Sequence, residues 1–530
     1  MRPERLARSG SYSLIGSSFA ALAALVLAVL IGNGLGAHGT GVFFQAIGFF
    51  TIVSQILRLG TNSSIVRTIS EQHAFARTGE SWRTVVIAVV PVAVLSVLVA
   101  IGIYLSAEPL AAWLSGAGET RELEELLRDI APYVVPSAVL AVLLTATRMM
   151  RGIVAFTLLQ NILLPLSRVL LVALAIVWAA DALGAVRAWM AVLPLWLVVT
   201  VAVMVRPFVT DWRARKAATE PAGVAARRFW AFSGTRAVGG ALETTLEWSD
   251  VLIVAALASP SAAGVYAIAT RAVRAGQVVD QAMRLAVSPA ISRLLARGDL
   301  LGARTLHTKV ARAMILTSWP FYLTLATMGP AVLSIFGPEF VAGSIVLTIL
   351  AGAMMIATSA GMLQSVLLQG GKSSWQMYNK AFALALSVGL NLLLVPVLEI
   401  LGAALTWTAC VIIDTAIASW QVHRRMGMLL EPRKLLLSMA IPLAVFGVGG
   451  VIVRLIFGAT LPALIGGLLV FGAIYLVVLW FLRGRLGIVA LWREIPVMRR
   501  YAEPGPTRDP ENPAGDSRTD ESTRPLGRHK

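Results

Sequence analysis

Long apolar runs alternate with short polar, arginine-bearing segments along most of the chain. An α-helix needs about 20 such residues to cross a hydrocarbon core of roughly 30 Å. Fourteen runs qualify, near 11–33, 40–62, 84–105, 132–150, 156–179, 187–205, 229–257, 264–290, 313–336, 345–369, 376–397, 401–422, 435–456 and 462–482. The pattern predicts an all-α polytopic membrane protein. Its first run follows Arg2, Arg5 and Arg8 in the manner of a signal peptide. That run is long, however, and no small-residue cleavage site leads into a soluble domain, so it reads as an uncleaved span with its N-terminus inside.

Charge between the runs is sorted by side. The predicted cytoplasmic segments hold most of the 45 Lys and Arg residues, among them Arg213, Arg215, Lys216, Arg227, Arg228, Arg293, Arg297 and Arg304. The predicted outer loops hold only Arg121, Arg128 and Arg187. The positive-inside rule therefore sets both termini in the cytoplasm of a multi-pass protein of the cytoplasmic membrane. It also accounts for the net charge of +17 without a nucleic-acid partner. With 57% hydrophobic and 14% charged residues, a soluble enzyme or a disordered chain is excluded, and the lone Cys410 excludes an intramolecular disulfide. The longest outer loop, 106–130, carries Glu108, Glu119, Glu122, Glu124, Glu125 and Asp129 and predicts a short amphipathic surface helix. From about residue 501, five prolines and the lack of large apolar residues predict a disordered cytoplasmic tail.

The chain also repeats itself. GVFFQA at 41–46 matches GVYAIA at 264–269, an offset of 223. Gly152 and Asn161 match Gly370 and Asn379, and LGAVRAWMA at 183–191 matches LGAALTWTA at 401–409, both at an offset of 218, which aligns Trp189 with Trp407. The second copy is shorter where the first has its acidic loop. Six spans return the chain to its starting side, so two such copies insert in the same orientation. They then form two six-helix bundles related by a pseudo-two-fold along the membrane normal, with substrate expected at their interface. The expected organisation is a first bundle with linker over 1–228, a second over 229–434, two further helices over 435–484 and a tail over 485–530.

The duplicated segments carry a family resemblance. LSIFGPEFVAGSIVLTILAG, LQSVLLQGGKSSWQMYN and LNLLLVPVLEILGAALTW resemble polysaccharide flippases of the O-antigen type, as do LGAHGTGVFFQAIGFF and PSAAGVYAIATRAVRAG. This family belongs to the multidrug, oligosaccharidyl-lipid and polysaccharide export superfamily. The resemblance implies a V-shaped alternating-access machine that moves a polyprenyl-pyrophosphate-linked oligosaccharide from the inner to the outer leaflet. It also implies a lipid-linked glycan and membrane lipids as partners, with a polysaccharide polymerase and glycosyltransferases acting alongside. The related lipid II flippase and a cation-coupled multidrug exporter are the competing functions, although an excess of arginine argues against cationic drugs. A polymerase or ligase normally needs a larger outer loop than this chain offers.

Charges inside the spans supply the candidate site. An arginine at the centre of a span costs roughly 2.5–3.5 kcal/mol on insertion scales, so several together must be paired or must line a wet cavity. They are Arg58 in span 2, Arg168 near the middle of span 5, Arg236 in span 7, and Arg271, Arg274 and Arg284 in span 8. Arg454 can snorkel to the outer interface. Arg271 and Arg274 share a helix face, and the guanidinium fork suits a pyrophosphate. With Arg168, Arg58 and Arg236 they are the expected substrate-binding residues. Arg236, Gly240, Glu243, Glu247 and Asp250 form one stripe along span 7. Glu243, Glu247 and Asp250 are expected to gate transport or to carry a coupling H⁺ or Na⁺, and no other cofactor is expected. Matched depth predicts a ladder of Asp250 with Arg271 and Glu247 with Arg274, while Asp280 is placed to pair with Arg284. Asn379, Lys380, Asn391 and Asp414 are weaker cavity candidates, explained equally by core hydrogen bonding. Neither a metal-ligand spacing among the histidines nor a phosphate-binding Walker loop is present, so a transporter rather than an enzyme is expected.

Overall fold

The computed structural model describes residues 3–75, 78–115, 120–178, 181–213, 220–369, 373–427 and 431–486. The expected tail disorder falls outside these residues. The described chain is helical almost throughout, with no strand among the described residues. Its first half comprises α1 (Pro3–Leu57), α2 (Thr61–Ala74), α3 (Ser81–Leu105), α4 (Ala107–Ser115), α5 (Thr120–Ile130), α6 (Val134–Met150), α7 (Ile153–Phe156), α8 (Leu164–Trp178) and α9 (Ala182–Arg213). Its second half comprises α10 (Ala222–Leu257), α11 (Pro260–Ala275), α12 (Gln277–Ala296), α13 (Leu300–Thr327), α14 (Gly329–Ser334), α15 (Ser344–Ser359), α16 (Leu363–Gln369) and α17 (Ser373–Met426). The last elements are α18 (Pro432–Pro442), α19 (Gly449–Phe457) and α20 (Leu461–Leu486).

Two of the predicted span pairs run on as single kinked helices. In α1 the chain turns at Gly36, whose φ of 65° costs a glycine little. In α17 the turn is at Glu399, with φ 48°. Nine stretches of the described residues are long and apolar enough to cross a membrane, and two of them, Ile15–Ala74 and Trp375–Arg424, each hold two predicted runs. The runs that fail the criterion are 229–257, 264–290 and 313–336, which form α10, α11 with α12, and α13. Length and apolarity alone therefore do not carry the count to fourteen. Of the failing helices, α10, α11 and α12 carry Arg, Glu or Asp within the runs, whereas the run in α13 holds no charged residue and is diluted by Thr, Ser, Trp, Pro and Tyr. By contrast, α20 leaves Leu469, Leu476, Val477 and Phe481 exposed, the surface a spanning helix gives to lipid.

A pseudo-symmetric contact joins the two halves. A Cβ on Gly41 would sit 1.7 Å from the Pro260 carbonyl oxygen, and a Cβ on Gly264 would sit 2.1 Å from the Ala37 carbonyl oxygen. Gly41 and Gly264 are repeat equivalents, and so, at the same offset, are Ala37 and Pro260. Two copies of one backbone element thus meet face to face, at a separation only glycine permits. Nearby, Asn33 donates to the Ile335 carbonyl at 2.8 Å and the Ala37 N–H donates to Glu339 at 2.6 Å.

The predicted surface helix is present as α4 and α5. Leu123, Leu126, Leu127 and Ile130 are buried, while the acids face outward in pairs: Arg128 with Glu124 at 2.7 Å and Arg187 with Asp129 at 2.7 Å. At the opposite end of the bundle, Asp211 accepts from the Trp82 N–H at 2.7 Å and Arg83 donates to the Glu220 carbonyl at 2.8 Å. This arginine-rich end is called the basic end below, and the end bearing α5 the acidic end.

Candidate functional site

Arg58 and Arg168 come together in the first half. Arg58 directly follows α1 and is itself followed by Leu59 and Gly60 at φ 49° and 71°. A leucine in the left-handed region is uncommon and marks stored strain. Thr61 Oγ1 donates to the Arg58 carbonyl at 2.7 Å and starts α2. Gly60 cannot carry a side chain, because a Cβ would lie 2.3 Å from the Ser233 carbonyl of α10. The turn is thereby pinned between the halves, and Arg58 donates to Gln55 Oε1 at 3.2 Å. Arg168, on α8, lies flat over the Trp189 ring at 3.6 Å. It is close enough to Arg58 for the two charges to repel. Neither arginine has an ion pair among the described residues, and the Nε of each is enclosed without a hydrogen-bond partner.

The second half places its charges differently. Of the predicted ladder, Glu247 with Arg274 forms: Arg274 Nη1 donates to the carboxylate, and Nη2 donates to the Glu247 carbonyl at 2.7 Å. The other rung does not form. Arg271 is held between two rings, 3.7 Å from Phe44 of the first half and 4.7 Å from Trp248, and donates to the Ala267 carbonyl at 3.1 Å. Asp250 turns away from it. The buried Asp250 carboxylate accepts from Asn391 at 2.8 Å, Ser387 at 3.0 Å and Tyr266 at 3.4 Å. The helical rotation that points Glu247 at Arg274 points Asp250 at α17.

Other candidates are dispersed. Arg236 is exposed near the basic end with its guanidinium over Phe232. The span 7 stripe therefore does not serve one surface: Gly240 meets Gln55, Glu243 and Glu247 line a cavity, and Asp250 is in the core. Asp280 accepts from Ser318 of α13 at 2.7 Å rather than from Arg284, which instead lines the cavity. Arg454 donates to the Thr327 carbonyl at 3.3 Å. Asn379 and Gln421 form a reciprocal amide pair at 2.9 Å in each direction.

The cavity measures about 390 Å³ and lies between α10, α11, α12, α15, α16 and α17. Glu243, Glu247, Arg274, Arg284, Lys380 and Asp414 all contribute to its wall, as does Trp407. Lys380 reaches Asp414 at 3.7 Å, and Gln364 donates to the same carboxylate at 3.0 Å. One wall is a break in the predicted run 345–369, where α15 ends and α16 begins around Gly361, at φ 72°. Sequence pattern showed a continuous run there, and only the glycine hinted at an interruption.

His307, six residues before the predicted ninth run, braces this break. Its Nε2 accepts from the Met362 N–H at 3.2 Å. Burial pushes the imidazole down to about 4 from its usual 6.5, against the backbone hydrogen bond at Ala360, which raises it. The neutral ring's contribution is therefore complete above pH 6.5 and is lost as pH falls toward 4, about 3 kcal/mol in all. The melting temperature of the wild type should fall more steeply between pH 6.5 and 4 than that of His307→Gln, which keeps an acceptor but cannot be charged. Parallel pH profiles would remove the histidine from the account of this break.

The profile of the family described as polysaccharide biosynthesis protein matches residues 6–295. The chain belongs to this family. The resemblance in the sequence is thereby borne out. In structure the chain is similar to the lipid II flippase MurJ in an inward closed conformation, with a TM-score of 0.67 at 13% identity over 89% of this chain and 98% of that one. It is similar to an inward-facing multidrug resistance MATE family transporter of the MOP superfamily, with a TM-score of 0.58 at 15% identity over 77% of this chain and 94% of that one. It is also similar to the Vibrio cholerae MATE transporter VcmN, with a TM-score of 0.56 at 16% identity over 80% and 97% of the two chains. No curated protein matches the sequence. At these identities the likeness is one of fold, the all-α multi-pass membrane fold that the hydropathy pattern predicts.

Proposed function

We propose that this protein is an alternating-access flippase that moves a polyprenyl-pyrophosphate-linked oligosaccharide from the inner to the outer leaflet for surface polysaccharide export. The observation that carries the reading is the pair Arg58 and Arg168: two enclosed arginines, one just after α1 and one on α8, near enough for their charges to act on each other and without an ion pair among the described residues. Such a pair is costly to hold in a membrane unless an anion completes it. A pyrophosphate offers several acceptor oxygens to two guanidinium forks. Family membership supports the polysaccharide class, and the flippase in the fold comparison supports lipid-linked cargo. In this reading the six-span bundles rock about the Gly41–Gly264 contact, with the basic end and both termini in the cytoplasm. Arg271 and Arg274 become available to substrate as their contacts with Phe44 and Glu247 open. Asp250, in a shell of neutral donors, carries the coupling H⁺ or Na⁺, with Glu243 and Glu247 as gating carboxylates. Transport of lipid II is the second reading, favoured by the extent of the match to MurJ.

Reconstitution tests both. Proteoliposomes loaded with undecaprenyl-pyrophosphoryl-N-acetylglucosamine are treated with an impermeant galactosyltransferase, which labels the outer-leaflet sugar at once and the inner-leaflet sugar only as it crosses. Wild type should accelerate labelling, and Arg58→Ala with Arg168→Ala should slow it at least about 100-fold, for two charge-assisted contacts of about 1.5–3 kcal/mol each. Lysine at both positions should restore part, having charge without the fork. Wild-type vesicles that label no faster than protein-free ones would overturn the reading. Lipid II moving in preference to the monosaccharide carrier would establish the second.

A further inference from the structure

We infer that the cavity of the second half is a saccharide site that holds a sugar ring of the cargo against Trp407, apart from the arginine pair that meets the pyrophosphate. The inference rests on the flippase reading above and assigns the two ends of its substrate to different halves.

Charge separates the two regions first. Around the cavity, Glu243, Glu247 and Asp414 balance Arg274, Arg284 and Lys380, and two of these sets are already in contact, Arg274 with Glu247 and Lys380 with Asp414. A wall with no net charge gives no electrostatic reason to hold a pyrophosphate. The Arg58 and Arg168 region has cations and, among the described residues, no carboxylate paired with them. An anion therefore favours the first half, and a neutral polar group loses nothing in the second.

The repeat supplies the second argument. Trp189 and Trp407 are equivalent at an offset of 218, and the same offset carries Arg168 onto Leu386. In the first half the indole face is covered by the Arg168 guanidinium at 3.6 Å. The second copy has no arginine at that position, and no cation stacks on Trp407 among the described residues. Its ring is only partly buried and lies on the cavity wall. An aromatic face freed of its cation suits the apolar face of a pyranose, whose axial C–H groups pack on a π-system.

The hydrogen-bonding groups agree. Gln364 Oε1 and Asp414 Oδ1 are enclosed without a donor among the described residues. Both are acceptors. Sugar hydroxyls and acetamido N–H groups donate, whereas an ionised phosphate cannot. The break around Gly361 adds the backbone of Ala360, Gly361 and Met362 to the same wall, which is where irregular backbone in a membrane protein finds polar partners. The volume of about 390 Å³ is within the range of roughly 300–1,000 Å³ usual for small-molecule sites.

Two lipids that differ only in the sugar test the site. Binding of undecaprenyl pyrophosphate and of undecaprenyl-pyrophosphoryl-N-acetylglucosamine is measured on the full chain in nanodiscs. Wild type should bind the glycosylated lipid about tenfold more tightly, the scale of about 1.4 kcal/mol. Trp407→Ala should erase that difference and leave affinity for the bare lipid unchanged. Gln364→Leu, which keeps the indole, should erase part of it, and melting temperatures recorded alongside show that each variant is folded. Arg58→Ala with Arg168→Ala should weaken both lipids and keep their ratio. Equal wild-type affinities, or a Trp407→Ala loss shared equally by both lipids, overturn the saccharide site while leaving the flippase reading intact. Absence of binding by either lipid overturns the flippase reading itself, and the site with it.

Discussion

Gly41→Leu should abolish flipping and lower the melting temperature by several degrees, while Gly102→Leu leaves both near wild type. Gly102 has nothing within 4 Å of an added Cβ, so it controls for placing a leucine in an apolar helix. At Gly41 the same atom meets the Pro260 carbonyl at 1.7 Å, and that carbonyl belongs to the turn starting α11, backbone that cannot rotate aside. Overpacking a well-packed interior typically costs 1–3 kcal/mol, and contact with rigid backbone places this case at about the upper end or beyond. Because the pseudo-symmetric partner Gly264 meets Ala37 in the same way, Gly264→Leu should reproduce the defect. The double variant should cost less than the sum of the two, since one separation relieves both clashes. Strictly additive melting-temperature losses would mean that the glycines do not share one contact.

This contact shows where sequence reasoning reaches and where it stops. The repeat aligns Gly41 with Gly264, but alignment does not say that equivalent residues touch; that follows only when the two halves are brought together. The Glu247 and Arg274 pair was legible because both residues sit on consecutive antiparallel helices, where depth is set by residue number alone. The same reasoning failed for Asp250 and Arg271, because depth leaves rotation free and each found a partner outside the hairpin. Phe44 lies more than 200 positions before Arg271, and Asn391 more than 100 after Asp250. No local pattern encodes either. The left-handed Leu59 beside Arg58 carried no composition signal at all, and the close approach of Gly60 to Ser233 follows only from the packing of α10. The cavity was half legible: Glu243, Glu247, Lys380 and Asp414 stood out as charges in apolar runs, whereas Trp407 stood out only as the repeat equivalent of Trp189, with nothing to place it on a cavity wall.

Asp250→Asn should leave the protein folded and remove the response of flipping to an imposed ion gradient, with gradient-driven transport falling on the order of 100-fold. The carboxylate is buried at 4% exposure and receives three neutral donors from α11 and α17, with no cation in salt-bridge contact among the described residues. Asn391 Oδ1, beside it, is enclosed without a donor. Asp250 thus sits among neutral donors with no paired cation among the described residues, a setting in which a proton or a hard monovalent cation can balance its charge. A purely structural carboxylate would behave differently on substitution. Asp250→Ala strands its donors and should cost about 1–3 kcal/mol of stability for each buried group left unpaired, whereas the isosteric asparagine keeps one carbonyl acceptor and most of the packing. The two substitutions therefore separate the roles. Flipping is followed in proteoliposomes under a pH gradient, a Na⁺ gradient and neither, with melting temperature as the companion measurement. A coupling carboxylate predicts that Asn is nearly as stable as wild type yet insensitive to both gradients, and that Ala is both unstable and insensitive. An Asp250→Asn protein that still accelerates under either gradient would move the coupling role to Glu243 and Glu247, whose carboxylates line the cavity and can exchange ions with it directly.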